Sequence, residues 1–152
     1  MDDMNTNQNQ YEDVVFGSIE LRGSRETLED GRKFVEKHLQ GAGIPQDIIT
    51  MVVTAVDEAS ANIIEHYYKD DSEKKYIITL DIKRNKIIVL LESWGEEINI
   101  KTGKKIDLAQ HFSDGKSRGL GVYMMHMLMD EVSYHYIRRM NVVKLVKYLD
   151  QE

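Results

Sequence analysis

The sequence predicts an α+β fold, a two-layer sandwich with helices on one face of a mixed or antiparallel sheet. Three observations predict it. The 152 residues, 41% of them hydrophobic, suffice for one core and leave no room for a second full domain. Residues 76–91 and 133–149 alternate like antiparallel hairpins, and three helical patterns are interspersed with them. Helices placed among hairpins, and not between parallel strands, belong together on one side of the sheet.

Residues 1–13, rich in Asp, Asn and Gln, have almost nothing to bury and are expected to be a disordered tail ahead of a domain over 14–152. Val14 to Leu21 reads as a strand. Ser24 stands at a helix N-cap position, with Glu26, Glu29 and Asp30 near the positive end, and Leu28, Val35 and Leu39 as the buried stripe. Gly41 and Gly43 stop that helix, and Pro45 suits the start of the next. From Asp47 to Tyr68 runs the longest helical pattern, with Ile49, Val52, Val56, Ala59 and Ile63 on one stripe. Tyr76, Ile78, Leu80 and Ile82 alternate, Arg84 and Asn85 turn, and Ile87 to Leu91 is a continuous apolar run, which predicts a hairpin packed on both faces. About twenty residues after Gly95 lack strong periodicity, and so long an irregular stretch in a compact domain predicts a functional lid. A helix pattern then runs from Gly119 through Val122, Met125, Met129 and Val132. Ser133 to Arg138 and Val142 to Leu149 read as a closing hairpin, with Met140 and Asn141 near its turn.

Composition excludes several classes of function. The net charge of -6, with scattered lysines, offers no basic stripe for nucleic acid. The chain has no cysteine, so disulfides, thiolate metal sites and cysteine nucleophiles are absent together. The longest apolar run is too short to span a bilayer, and the acidic, polar start is unlike a signal peptide; a cytoplasmic location is the expectation. The five histidines lack metal-ligand spacing, and no Ser-His-Asp, HExxH or Walker-type pattern is present.

Three features carry chemistry. Glu58, Asn62 and His66, spaced four apart, fall on one flank of the long helix beside its apolar stripe, whereas Thr54 and Asp57 point away as solvated residues. A carboxylate and an amide one turn apart suit a base and an oxygen ligand for magnesium, which keeps waters and phosphates; the same spacing suits a polar pair bonded to a neighbouring loop. Ser113 to Gly121, SDGKSRGLG, opens a helix, and its glycines with Lys116 and Arg118 suit either an anion site or a simple loop and cap. Trp94 and Gly95, where the chain leaves the sheet, suit a pocket wall or a hydrophobic plug with a turn. Met124, Met125, Met127 and Met129 suit core filling, with an adaptable partner surface as the other use.

Taken in order, Glu58-Ala59-Ser60-Ala61-Asn62 with His66 and Tyr67, Ser117-Arg118-Gly119-Leu120-Gly121-Val122-Tyr123, Leu128-Met129-Asp130-Glu131-Val132 and Val146-Lys147-Tyr148-Leu149 resemble the histidine-kinase-like ATPase superfamily, in its anti-sigma-factor serine kinase branch. The resemblance runs from about Phe16 to the C-terminus. It implies a site for ATP and Mg2+ between the central helix and the lid. It implies Glu58 as base on an incoming serine, Asn62 as the magnesium ligand, and Gly95, Gly119 and Gly121 as points of close nucleotide approach. His66, Lys116, Arg118 and Leu120 belong to the same implied nucleotide site. It further implies a homodimer that binds a sigma factor and phosphorylates a serine of an anti-sigma antagonist protein.

The chain departs from the family pattern at three positions. Ser93 stands where the family carries an aspartate that accepts a hydrogen bond from the adenine amino group, and Glu97 replaces a glycine of the same box. Ser117 replaces the opening glycine of the later box. Glu92 cannot stand in for the aspartate, because neighbouring strand residues face opposite sides. These departures carry the alternative expectation, a partner-binding module of the same fold with weakened or lost ATP binding.

Overall fold

The computed structural model describes residues 15–98 and 120–150. The expected tail over 1–13, the greater part of the expected lid, and Lys116, Arg118 and Gly119 lie outside the described residues. Strand β1 (Val15–Arg22) leads through a 3-10 turn, Arg25–Thr27, into helix α1 (Leu28–Gly41) and then α2 (Gln46–Asn62). Strands β2 (Lys75–Ile82) and β3 (Lys86–Trp94) follow, then α3 (Leu120–Leu128), β4 (Glu131–Ile137) and β5 (Met140–Tyr148). All sheet pairings are antiparallel, in the order β1-β2-β3-β5-β4.

Period-two alternation decides which sheet face meets the helices. Tyr76, Ile78, Leu80 and Ile82 of β2, and Ile87, Val89 and Leu91 of β3, are buried. Against them pack Val35 and Leu39 of α1, Ile49, Val52, Val56 and Ala59 of α2, and Met125 of α3. Full burial of each such branched side chain contributes roughly 1.5–3 kcal/mol. The opposite residues of β3, Ile88, Leu90 and Glu92, are half-buried. The apolar run 87–91 therefore lies under helices on one face only, which corrects the expected packing on both.

Several boundaries also move. Ser24 stands at an N-cap position, but of the 3-10 segment and without a side-chain capping bond; its carbonyl accepts from the Thr27 amide and hydroxyl, and α1 begins at Leu28. The helix expected to run to Val132 stops at Leu128. There the Asp130 amide donates to the Val146 carbonyl (2.9 Å) and the Asp130 carboxylate accepts from the Tyr148 amide (2.7 Å), so the sheet captures the chain and Val132 enters β4. The last turn is made by Arg138 and Arg139, with φ of 53° and 65°, the left-handed pair that a two-residue hairpin turn demands. Met140 and Asn141 are already in β5.

The long helix does not continue as α to Tyr68. After Asn62 it widens into a π-helical turn, Ile63–Tyr67, which buries Ile63 and Ile64. The Tyr68 amide then closes on the Ile63 carbonyl (2.8 Å). Such wide turns are rare and cluster at functional sites.

Candidate functional site

Strand register assembles the floor of the site. One transverse row of the helix-facing side reads Leu21, Tyr76, Ser93, Asn141 and Tyr136 across β1, β2, β3, β5 and β4. The neighbouring row reads Ile19, Ile78, Leu91, Val143 and Tyr134. Apolar packing thus gives way to polar side chains within one pleat, at the end of the sheet where β3 leaves. Ser60, Ser93 and Asn141 are buried polar residues, and buried polar groups persist where hydrogen bonds hold them.

The bonds can be followed one by one. The Tyr68 hydroxyl donates to the Lys75 carbonyl (2.6 Å) and accepts from the Trp94 amide (2.9 Å). Burial pushes the Tyr68 phenol above its ordinary range, opposed by its hydrogen bonds with the Trp94 backbone and the Ser93 side chain. Burial likewise raises Tyr76, opposed by hydrogen bonds with Thr27 and Ser60. Ser93 is 2% exposed, so it faces inward as the family's base-reading residue would, beside the Tyr68 phenol. Glu92 points to the other face, as strand alternation requires. Trp94 is 44% exposed and is no plug.

Above this floor, α2 carries Glu58 and Asn62, both half-buried, one turn apart in regular α geometry. The Asn62 Nδ2 atom is buried without a hydrogen-bond partner among the described residues. The Glu58 carboxyl is raised, first by burial, then by the Asp57 and Glu65 carboxylates. Gly121, the second residue of α3, lies against Glu58, and a Cβ there would collide with the Glu58 carboxylate oxygen. A close approach of backbone to an acid is what a glycine at this position permits. Leu120 opens α3 beside it.

His66 falls in the π turn and is exposed, because the wider turn breaks the four-residue spacing that aligned it with Glu58 and Asn62. Gly95 has φ of +140°, a conformation open essentially to glycine alone, with nothing within 4 Å of an added Cβ; backbone geometry, not space, selects it. Glu97 is exposed. The structure therefore brings Glu58, Asn62, Gly121 and Leu120 together on the helix layer, and Ser93 and Gly95 on the exit of β3.

Asp57 is not the solvated residue its position on the helix predicts. Its carboxyl is half-buried, raised by desolvation and partly lowered by Arg32, whose guanidinium is 3.6 Å away. That is an ion-pair distance beyond hydrogen bonding, consistent with Asp57 Oδ1 having no bonded partner among the described residues. Met125 and Met129 fill the core as expected, but Met124 and Met127 are exposed.

Tyr68, Tyr76, Ser60, Asn141 and Tyr136 were not singled out from the sequence as site residues. The signal available was polar side chains at inward positions of otherwise apolar stripes, as at Asn141 between Met140 and Val143. No group of three or more His, Asp or Glu side chains that could hold a metal occurs among the described residues. Magnesium does not require one, since it is commonly held by one or two protein oxygens with phosphates and water. The orphaned Asn62 Nδ2 is a donor, so it fits an acceptor such as a phosphate oxygen, while the amide oxygen of the same side chain is the atom that could face a cation.

Comparison with known proteins gives the family and the fold. The family model of the histidine kinase-like ATPase domain matches residues 22–147. Serine-protein kinase RsbW of Listeria monocytogenes is 24% identical over 139 residues, covering 89% of this chain and 88% of that protein. Serine-protein kinase RsbW of Staphylococcus aureus is 28% identical over 116 residues, covering 73% and 72%. Among solved structures, that of the RsbU and RsbW domains of Rv1364c from Mycobacterium tuberculosis superposes with a TM-score of 0.66 at 16% identity. The match covers 91% of this chain and 33% of that longer one, and shows a shared fold.

Proposed function

The chain belongs to the histidine kinase-like ATPase domain family, and from that premise we propose that it is an anti-sigma regulatory factor. In this reading it binds a sigma factor as a cytoplasmic homodimer and, with ATP and Mg2+, phosphorylates a serine of an anti-sigma antagonist protein. The single observation that carries the reading is the juxtaposition of the buried, unbonded Asn62 amide, the Glu58 carboxyl and the close approach of Gly121. The serine-protein kinases to which the chain is similar support the same reaction class.

Magnesium-bound ATP supplies the phosphoryl group and the charge neutralisation around it. Asn62 would hold the metal through its amide oxygen. Glu58 accepts the hydroxyl proton of the incoming serine, and the neighbouring acids and burial that raise it make it a stronger base. Gly95, Gly119 and Gly121 admit the nucleotide close to backbone, with Leu120 beside them. Lys116 and Arg118 would lend positive charge to the phosphates, and Ser93 would face the base, with His66 on the turn beyond Asn62. No helix among the described residues is long and apolar enough to cross a membrane.

A second reading, a partner-binding module with weak or lost ATP binding, is favoured by one observation: the inward, buried position where the family pattern has an aspartate holds the short, uncharged Ser93. Calorimetric titration of the purified protein with Mg-ATP separates the two. Binding that is abolished without magnesium, together with serine phosphorylation that falls by roughly two to four orders of magnitude in Glu58→Gln at near-constant ATP affinity, supports the kinase. No binding at millimolar nucleotide sinks it in favour of the module. Co-purification from the native cell identifies the sigma factor and antagonist.

A further inference from the structure

The exit of β3 is held from outside its own strand. The Gly95 amide donates to the Arg139 carbonyl (2.9 Å), and the Tyr136 hydroxyl donates to the Gly95 carbonyl (2.8 Å). Asn141 spans the next step: its Nδ2 donates to the Glu96 carbonyl (2.9 Å) and its Oδ1 accepts from the Ile98 amide (2.9 Å). Asn141 is 5% exposed, and both ends of its amide are spent on this one segment. The bonds come from the strands and the left-handed Arg138–Arg139 turn of the β4–β5 hairpin, so a strained backbone sits where the bracket needs it. A small cavity of about 40 Å³ remains between the segment and the hairpin, lined by Ile98, Tyr134, Tyr136 and Asn141 among others.

We propose that Asn141 is a positioning residue: with Tyr136 it fixes the path of Gly95–Ile98, and through that path the nucleotide-facing backbone of Gly95. The inference rests on the nucleotide reading above for its functional consequence, but not for its structural one. Asn141 acts through the segment, on which both ends of its amide are spent. An asparagine fits the task because only a side chain that donates and accepts at once can join a carbonyl and an amide two residues apart.

Trp94, the sole tryptophan, directly precedes the clamped segment and reports on it. The test measures acrylamide quenching of Trp94 in nucleotide-free protein and Mg-ATP affinity by calorimetry. The proteins compared are wild type, Asn141→Leu, Asn141→Asp, Tyr136→Phe and, as a control for stability alone, Val35→Ala in the core of α1. Asn141→Leu is expected to quench faster and to bind Mg-ATP on the order of 10-fold more weakly or worse, the scale for a displaced reacting geometry. Asn141→Asp, which still accepts from Ile98 but cannot donate to Glu96, is expected between it and wild type. Tyr136→Phe removes a single bond at a partly exposed site, so it keeps the test alive if Asn141→Leu fails to fold. Val35→Ala should lower the melting temperature and change neither readout. Unchanged Trp94 quenching in the Asn141 and Tyr136 variants overturns the proposal, whatever their stability. Altered quenching with no nucleotide binding even by wild type upholds the clamp and removes the nucleotide reading instead.

Discussion

Replacing Gly121 by alanine tests the contact at the centre of the site without presupposing any activity. The added methyl would strike the Glu58 carboxylate oxygen, while the Glu58 Cβ lies at 3.9 Å, an ordinary contact. The obstacle is the end of a half-buried, flexible side chain, so Glu58 can retreat, by roughly an ångström, at a strain of about 0.5–1.5 kcal/mol. Against this, exchanging glycine for alanine in a helix stabilises by up to about 1 kcal/mol, less in a first turn. The two nearly cancel, and Gly121→Ala should unfold in denaturant within about 1 kcal/mol of wild type. In a Glu58→Ala background the obstacle is gone and the same substitution should stabilise. The coupling between the two sites is then about 0.5–1.5 kcal/mol, measurable by a double-mutant cycle in urea. If the protein transfers phosphate, displacing Glu58 by that distance should cost roughly 100-fold in rate at little cost in fold. Identical stability changes in both backgrounds would refute the contact, and with it the placement of α3 against the acid.

Asn62→Ala removes a buried amide nitrogen that has no partner among the described residues, so denaturation should find it neutral or more stable by up to about 1 kcal/mol, while Mg-ATP titration finds binding lost. Glu58 is raised above its ordinary 4.5 by burial and by its acidic neighbours, so the native state holds its proton to higher pH than the unfolded chain does. Stability contributed by the neutral acid is therefore full below pH 4.5 and declines as pH rises through the native value. Glu58→Gln should be the more stable protein above that window and no better below it, as thermal melts across pH will test. Ser93→Asp, which restores a base-reading carboxylate to an inward position, should tighten ATP by about 1.5–3 kcal/mol and leave GTP unimproved; tight, adenine-selective binding by wild type would contradict this reading of Ser93.

The elements most legible in the sequence were those with local periodicity. The alternation of Tyr76, Ile78, Leu80 and Ile82 and the stripe from Ile49 to Ala59 lie where they were expected, and Glu58 and Asn62 are half-buried beside that stripe. Features set by long-range pairing were not legible. Nothing local marks the row that joins Tyr76, Ser93 and Asn141, because it exists only through the strand order. The π turn displaces His66 by inserting into a helix whose apolar spacing reads as unbroken, and Asp57 is half-buried because α1 brings Arg32 to it. The end of α3 was misplaced for a similar reason: the Val146 carbonyl and the Tyr148 amide, distant in sequence, terminate it.

The strand order has a consequence for how the protein comes into being. Strands β1, β2 and β3 lie side by side, and β4 and β5 form a separate hairpin that joins them, among the described residues, at the β3–β5 seam. During synthesis the first three strands emerge with the inner edge of β3 bare, and β4, which follows, has no place on that edge. Only when β5 arrives and inserts between them does the sheet close, so the long-range β3–β5 pairings, from Lys86 with Tyr148 to Trp94 with Met140, form late and add a second loop-closure cost to the one already met in joining β1 to β2. Ser93 and Asn141 face each other across that seam. A protein that has folded its first half has assembled Glu58 and Asn62 but not the floor beneath them. Cooperative opening of the β4–β5 unit, visible as a block of amides exchanging together, would switch the site off without unfolding the rest.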